Sequence, residues 1–278
     1  MSDPVVCFYH ANCTDGAAAA AVVKRKYPGA DLYPMNHGDP IEAQVRGKKV
    51  FIVDFSFPAE ILEKLKAEAA EVCWYDHHKT ALPIRDRIGW GVLDLSESGA
   101  SLTWKQEYPG EPLPKILAYV KDKDLWEWKL PDSRAVSMDL RNTVDVLDPA
   151  SETWRRLIDG LDEAAFRKIV ERGEYALQSQ RLNILSGVKN GFELDFHGHR
   201  AFAVNWSLEA SDIGEYIYKE MGYAVAILFY YTGKVWSFSL RSPTVDVSEL
   251  AQKYGGGGHP GASGFRQDAI DWLFKMKK

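Results

Sequence analysis

Three short apolar runs in the first 80 residues each end in residue types that bind metals. Residues 4–9 lead into His10, with Asp15 just beyond; residues 50–53 lead into Asp54; residues 72–75 lead into Asp76-His77-His78. Runs of this length, rich in β-branched and aromatic residues, read as buried strands. In an open parallel sheet, ligands bind outside the carboxyl ends of the strands. Three strands therefore place imidazoles and carboxylates along one sheet edge, a mixture that suits a divalent metal cluster.

Up to about residue 130, strand patterns alternate with helical ones. Residues 15–27 form an Ala-rich helix closed by Pro28-Gly29, and residues 30–35 a strand leading to the polar turn Asn36-His37-Gly38-Asp39. After the Asp54 strand a helix starts near Pro58, where proline is tolerated. It runs to Ala70 with Ile61, Leu62, Leu65 and Ala69 on one face. Another helix follows Ser98, a suitable N-cap, and a third, over 113–120, runs into Asp122. This alternation predicts an α/β fold: over residues 1–130, a mostly parallel sheet with helices on both faces. Residues 131–190 read as a helical connector, with charged helical patterns over 152–160 and 162–189. Residues 191–278 read as a smaller α+β domain. It has hairpin-like pairs over 192–206 and 223–241 and helices near 211–221 and 247–254.

Hydrophobic residues make up 46% of the 278, ample for a core. No apolar run reaches the ~20 residues that span a bilayer. The stretch 17–23 is too short for a signal sequence and follows Asp15, so no membrane partner is expected. Cys7, Cys13 and Cys73 show no framework spacing, which points to reduced thiols in a cytoplasmic protein. Cys13, between His10 and Asp15, is a candidate for oxidation. The net charge of −5 argues against a broad nucleic-acid-binding surface. A cleft lined by carboxylates accepts phosphate only when bound cations reverse its field.

The candidate metal set is His10, Asp15, Asp54, His77 and Asp122. Each alone has a plainer reading, as a helix cap or a core hydrogen-bonder. Three consecutive strand ends favour the joint reading. Carboxylates mixed with imidazoles suit two Mn²⁺ ions, with Mg²⁺, Co²⁺ or Fe²⁺ as alternatives. Two metals ~3.5–4 Å apart polarise a phosphoryl oxygen and generate a hydroxide nucleophile. Asp54, on the middle strand, is best placed to bridge them. A second signal lies far along the chain, where residues 255–259 read Gly-Gly-Gly-Gly-His. Gly257 and Gly258 let backbone N–H groups converge on an anion, and His259 projects from the loop. Arg241, at a strand end, suits a bidentate phosphate contact. A flexible turn and a solvated arginine are the plain alternatives.

Taken together these residues resemble the DHH phosphoesterase superfamily, with an N-terminal DHH domain and a C-terminal DHHA1 domain. The resemblance covers nearly the whole chain. Its anchors are His10-Ala-Asn-Cys-Thr-Asp15-Gly16, Val53-Asp54-Phe55-Ser56, Asp76-His77-His78, Tyr119-Val120-Lys121-Asp122 and the glycines before His259. It implies a metal-dependent, usually Mn²⁺-dependent phosphohydrolase of the nanoRNase, oligoribonuclease or polyphosphatase-like group. By the same resemblance His10 and Asp15 hold one metal, Asp54 bridges, and His77 and Asp122 hold the other. His78 faces the reacting phosphate, Asp76 orients the histidines, and Arg241 and His259 grip the far part of the substrate. One departure stands out. Many relatives carry His-x-x-x-Asp-x-Asp, whereas here the spacing is His-x-x-x-x-Asp and Ala17 stands two residues after Asp15. One site therefore lacks a carboxylate, which leaves three outcomes open: a weaker second metal, a changed metal preference, or compensation by His37, Asp39 or Asp124; for Asp124, packing beside Trp126 is the plainer role.

The expectation is a two-domain phosphohydrolase in which the domains form a cleft. It cleaves short nucleotide phosphodiesters, linear dinucleotides or few-nucleotide RNA, by a two-metal-activated hydroxide. The alternatives are a polyphosphatase or nucleotide phosphomonoesterase, and a non-enzymatic nucleotide-binding module with a decayed metal site. No long-DNA binding is expected from an acidic chain without the added nucleic-acid-binding domain of RecJ-type enzymes. Monomer and homodimer are both left open.

Overall fold

The computed structural model describes residues 4–208 and 210–276. Two compact units divide the chain between Leu177 and Gln178. Among the described residues no helix is long and apolar enough to cross a membrane.

The first unit is built on β1 (Val5–His10), α1 (Thr14–Lys26), β2 (Asp31–Met35), β3 (Lys49–Val53), α2 (Ala59–Glu68), β4 (Glu71–Asp76), α3 (Leu82–Ile88) and β5 (Val92–Leu93). Helices α4 (Gly99–Glu107), α5 (Lys115–Asp124), α6 (Ser133–Asn142) and α7 (Glu152–Asp159) follow. The strands lie in the order β2-β1-β3-β4-β5, and every pairing is parallel. The pairing Cys7↔Phe51↔Cys73 places β1, β3 and β4 in step, so His10, Asp54 and Asp76 leave the sheet at the same edge.

Side chains on a strand alternate between faces, and both faces of this sheet are covered. Val5, Cys7, Tyr9, Phe51, Val53 and Tyr75 pack with Ala18–Val23 of α1, Leu102 of α4 and Leu117 of α5. Val6, Phe8, Val50, Ile52 and Trp74 pack with Leu62 and Leu65 of α2. Strands buried on both sides read as continuous apolar runs, which is how 4–9 and 50–53 could be recognised.

The stretch 131–190 does not stand apart as a connector. Val136 and Leu140 of α6, Trp154 and Leu157 of α7, and Phe166 and Ile169 share one core with α1 and α5. Phe166 and Ile169 begin the 26-residue helix α8 (Glu163–Val188), whose later residue Ile184 belongs to a core of the second unit. The division thus falls inside one continuous helix.

The second unit contains β6 (Phe192–Phe196), β7 (His199–Asn205), α9 (Ala210–Lys219), β8 (Val225–Tyr231), β9 (Trp236–Arg241), α10 (Val247–Gln252), β10 (Gly257–His259), β11 (Ala262–Gln267) and α11 (Asp271–Lys275). Its sheet runs β10-β11-β9-β8-β7-β6, antiparallel except for the β7–β8 pair. Both expected hairpins, β6–β7 and β8–β9, are present. The glycine-rich stretch is more ordered than a loop, because Gly257–His259 is itself a strand paired to β11. At Gly258, with φ of 142°, a Cβ would lie 2.7 Å from the Ala262 carbonyl oxygen. Only glycine permits that close approach of two backbones.

Candidate metal centre

The sheet edge of the first unit assembles two groups of metal-binding side chains. His10, Asp54 and His78 bring ligand atoms within 4.8 Å of one another, and so do Asp15, Asp54 and His77. Asp54 belongs to both. It sits one residue past β3 with φ of 53°, a left-handed conformation uncommon outside glycine. Its N–H is fixed by the Tyr75 carbonyl of the neighbouring strand at 3.0 Å. Backbone strain of this kind costs ~1–3 kcal/mol and collects at functional sites. Gly99 allows the crowding: a Cβ there would lie 2.9 Å from Asp15 Oδ2 and collide with the Asp54 side chain.

Asp15 and Asp54 are nearly inaccessible, at 2% and 1%. Asp15 accepts from Gly99 N–H at 2.5 Å and Ala100 N–H at 3.0 Å, the first turn of α4. His77 Nε2 lies 3.1 Å from Asp54 Oδ1, 3.3 Å from Asp124 Oδ2 and 3.8 Å from Asp15 Oδ2. His10 Nδ1 is 3.6 Å from the other Asp54 oxygen. The His10 and His78 side chains are 34% and 40% exposed, so the two groups share a buried carboxylate floor and an imidazole rim facing solvent.

Asp76 lies beneath this rim and orients it. Its carboxylate accepts from His77 N–H at 2.7 Å, from His78 N–H at 3.1 Å and from the Ser56 hydroxyl, and it pairs with His78 Nδ1 at 2.7 Å. With Nδ1 so engaged, His78 has only Nε2 left for a ligand or substrate.

The electrostatics fit a cation. Burial, then the charges of Asp54 and Asp124, push the Asp15 carboxyl well above its usual range. Burial and Asp54 raise Asp124 as well. Burial would raise Asp54 too, but the His10 and His77 imidazoles overcome it and hold the carboxyl at about 2. Burial opposes charge on His77, yet Asp54, Asp15 and Asp124 outweigh it and lift the imidazole to about 9. Asp54 Oδ2 is buried and has no hydrogen-bond partner. An orphaned carboxylate oxygen among two further acids and three imidazoles is what bound divalent metal would satisfy. The residues present therefore fit the metal implied by the sequence.

Of the expected metal set, His10, Asp15, Asp54 and His77 come together and Asp122 does not. Asp122 is buried on α5 and accepts from Lys129 N–H at 2.9 Å and Leu130 N–H at 3.4 Å, while its carbonyl accepts from Glu127 N–H at 2.9 Å. It thereby pins a loop in which Trp126 and Trp128 hold φ of 56° and 54°. Asp124, two residues on, approaches His77 instead. The two other candidates to replace the missing carboxylate lie elsewhere. His37 is exposed and stacks on Phe55, and Asp39 bonds the Asn36 N–H and side-chain amide at 2.7 and 3.1 Å. At Cys13 burial, then Asp54 and Asp15, raise the thiol pKa, which disfavours the thiolate.

In the second unit, Arg241 is half-buried on β9. Its Nε donates to Ser211 Oγ at 3.3 Å and its Nη1 to the Leu240 carbonyl at 2.9 Å, and among the described residues no carboxylate pairs with it. Burial pulls its pKa down, although an arginine stays charged. Gly214 of α9 makes room for the side chain: a Cβ there would meet Arg241 Cγ at 2.7 Å. The register His259↔Ala262↔Arg241 sets the exposed His259 and Arg241 in one row across three strands. Gly257 and Gly258 pair with Gly264 and Ser263; their place in the sheet is the finding, rather than an open anion-binding loop.

Comparison with known proteins agrees with this architecture. Residues 201–273 match the family model of the DHHA1 domain. The uncharacterized protein R106 of Acanthamoeba polyphaga mimivirus is 25% identical over 98% of this chain and 70% of its own length. The oligoribonuclease NrnB of Bacillus subtilis is 27% identical over 92% of this chain and 71% of its own. The solved structure of PggH, a pGpG-specific phosphodiesterase from Vibrio cholerae, superposes with a TM-score of 0.63 at 13% identity, covering 99% of this chain and 96% of that one. Residues 201–273 thus form a DHHA1 domain, and with the strand-end acids and histidines and the Asp76-His77-His78 turn the comparisons place the chain with the DHH phosphoesterase superfamily.

Proposed function

We propose that this protein is a divalent-metal-dependent phosphodiesterase, best served by Mn²⁺, that cleaves linear dinucleotides or RNAs of a few nucleotides. The observation that carries the metal reading is the sharing of Asp54 by two ligand groups around a buried, partnerless carboxylate oxygen. The names of the Bacillus relative and the Vibrio structural neighbour support the choice of short nucleotides. The free cysteines support a reducing, cytoplasmic setting.

In this reading His10, Asp15, Asp54, His77 and Asp124 hold the metal. Bound there, it supplies Lewis-acid charge to the phosphoryl oxygens and lowers the pKa of water. His78 faces the reacting phosphate through Nε2 while Asp76 holds Nδ1. The bond to Asp76 raises the His78 pKa, which favours a protonated ring able to donate to a phosphate oxygen. Arg241 and His259 take a part of the substrate that does not react. Contacts of that kind still serve catalysis by positioning the reacting group.

The test is turnover of a panel containing pApA, pGpG, a tetraribonucleotide, a nucleoside monophosphate and tripolyphosphate, with and without Mn²⁺. Release of mononucleotides from the dinucleotides is expected. Preferential loss of phosphate from tripolyphosphate or the monophosphate would replace this reading with a polyphosphatase or a phosphomonoesterase.

A further inference from the structure

An open pocket of about 620 Å³ lies within the first unit, with His37, Ser56, Pro58, Thr80, Ile84 and Arg87 in its wall. Its volume falls in the ~300–1,000 Å³ range of small-molecule sites. Two of these residues tie it to the centre. Ser56 lies two positions after Asp54 and bonds Asp76, the residue that orients His77 and His78. His37 stacks on Phe55 with ring centroids 4.9 Å apart and planes 26° apart, and Phe55 in turn lies 6.2 Å from the His10 ring.

We propose that this pocket receives a nucleobase of the nucleotide next to the scissile phosphate, stacked on the outer face of His37. The inference rests on the reading of the centre as a nucleotide phosphodiesterase and names where that substrate's base lies. The inner face of His37 is backed by Phe55, which is 3% exposed and braced edge-on by Phe57 at 5.0 Å. The turn carrying His37 is pinned by the Asn36–Asp39 bonds. A fixed aromatic ring, open on one side, is a stacking platform for any base. Pro58 and Ile84 give the wall apolar character, and Thr80 offers a hydroxyl for a base edge. The chemistry does not suit a chain of phosphates. Among the described residues of the wall, Arg87 is the one Lys or Arg, and it pairs with Glu60 at 2.7 Å.

The probe is 2-aminopurine riboside 5′-monophosphate, whose fluorescence is quenched by stacking, titrated in Mg²⁺ buffer against the wild type, His37→Ala and His37→Phe. Position 37 is exposed with one ring face on Phe55, so thermal unfolding of each variant is compared with the wild type to show that the fold is kept. Quenching by the wild type, affinity about tenfold weaker in His37→Ala and recovery in His37→Phe are expected. The same variants are assayed on pApA, where His37→Ala raises KM about tenfold with kcat held. Equal affinity and equal KM across all three proteins would overturn the pocket while leaving the phosphodiesterase reading intact. Quenching that depends on His37 in a protein that hydrolyses no dinucleotide would keep the pocket and overturn that reading instead.

Discussion

Asp54 meets His77 at 3.1 Å through one carboxylate oxygen, while its other oxygen is buried without a hydrogen-bond partner. The side chain therefore spans both ligand groups from a backbone held in the left-handed region. Few arrangements make a strained, buried, half-satisfied carboxylate tolerable, and neutralisation by bound cations is the one that its neighbours favour.

Removal of Asp54 should empty the centre. Asp54→Ala is expected to lose both metal ions, and His10→Ala only one, because His10 belongs to a single group. Metal content after gel filtration, read by elemental analysis, checks this. Unchanged content in Asp54→Ala would refute the bridging role.

Asp122 and Asp124 should separate stability from metal binding. Asp122→Ala strands the Lys129 and Leu130 amides and should destabilise the fold by about 1–3 kcal/mol. Asp124→Ala should leave the melting temperature nearly unchanged and weaken metal binding at least about tenfold. Thermal unfolding and metal titration of both variants decide it, and the reverse pattern would restore Asp122 as a ligand.

The placement of Asp124, and not Asp122, beside His77 marks where the sequence stopped being legible. His10, Asp54 and Asp76-His77-His78 could be placed because each ends an apolar run, and parallel strands in register deliver their ends to one edge. Asp122 and Asp124 lie on a helix, where residues two apart point about 200° away from each other. Nothing in Lys121-Asp122-Lys123-Asp124 says which of them faces the sheet edge. Helix α6 was missed because Ser133–Asn142 mixes polar and apolar residues without a clear strand or loop signal. The division inside α8 was hidden because the helical pattern is unbroken there. The glycines before His259 read as a loop because glycine is poor in strands, and the backbone contacts that demand it are made with β11, which sequence does not display.

Metal binding should release protons. His77 is held at about 9 without metal, so at pH 7.5 its ring is charged, and metal needs the neutral ring. Affinity for Mn²⁺ should therefore rise with pH up to about 9. The sign for stability is opposite in the metal-free protein. The His77 contribution is fully present below the ordinary histidine value of 6.5 and is lost as pH rises through about 9. Calorimetric titrations in phosphate-free buffers of different ionisation enthalpy should give different apparent enthalpies. Identical enthalpies in all buffers would show that no proton is released.

Arg241 and His259 should matter by substrate. Arg241→Ala and His259→Ala should impair dinucleotide cleavage by about 2–3 kcal/mol in kcat/KM while largely sparing p-nitrophenyl phosphate. Equal losses on both substrates at unaltered thermal stability would move these residues into the chemical step.

Dinucleotide hydrolysis by chelated and Mn²⁺-reconstituted protein tests the central claim most directly. Cleavage of pApA to mononucleotides should vanish on chelation and return with Mn²⁺ in the wild type, but not in Asp54→Ala. Undiminished cleavage by the metal-free protein, or none by the fully reconstituted one, would contradict it.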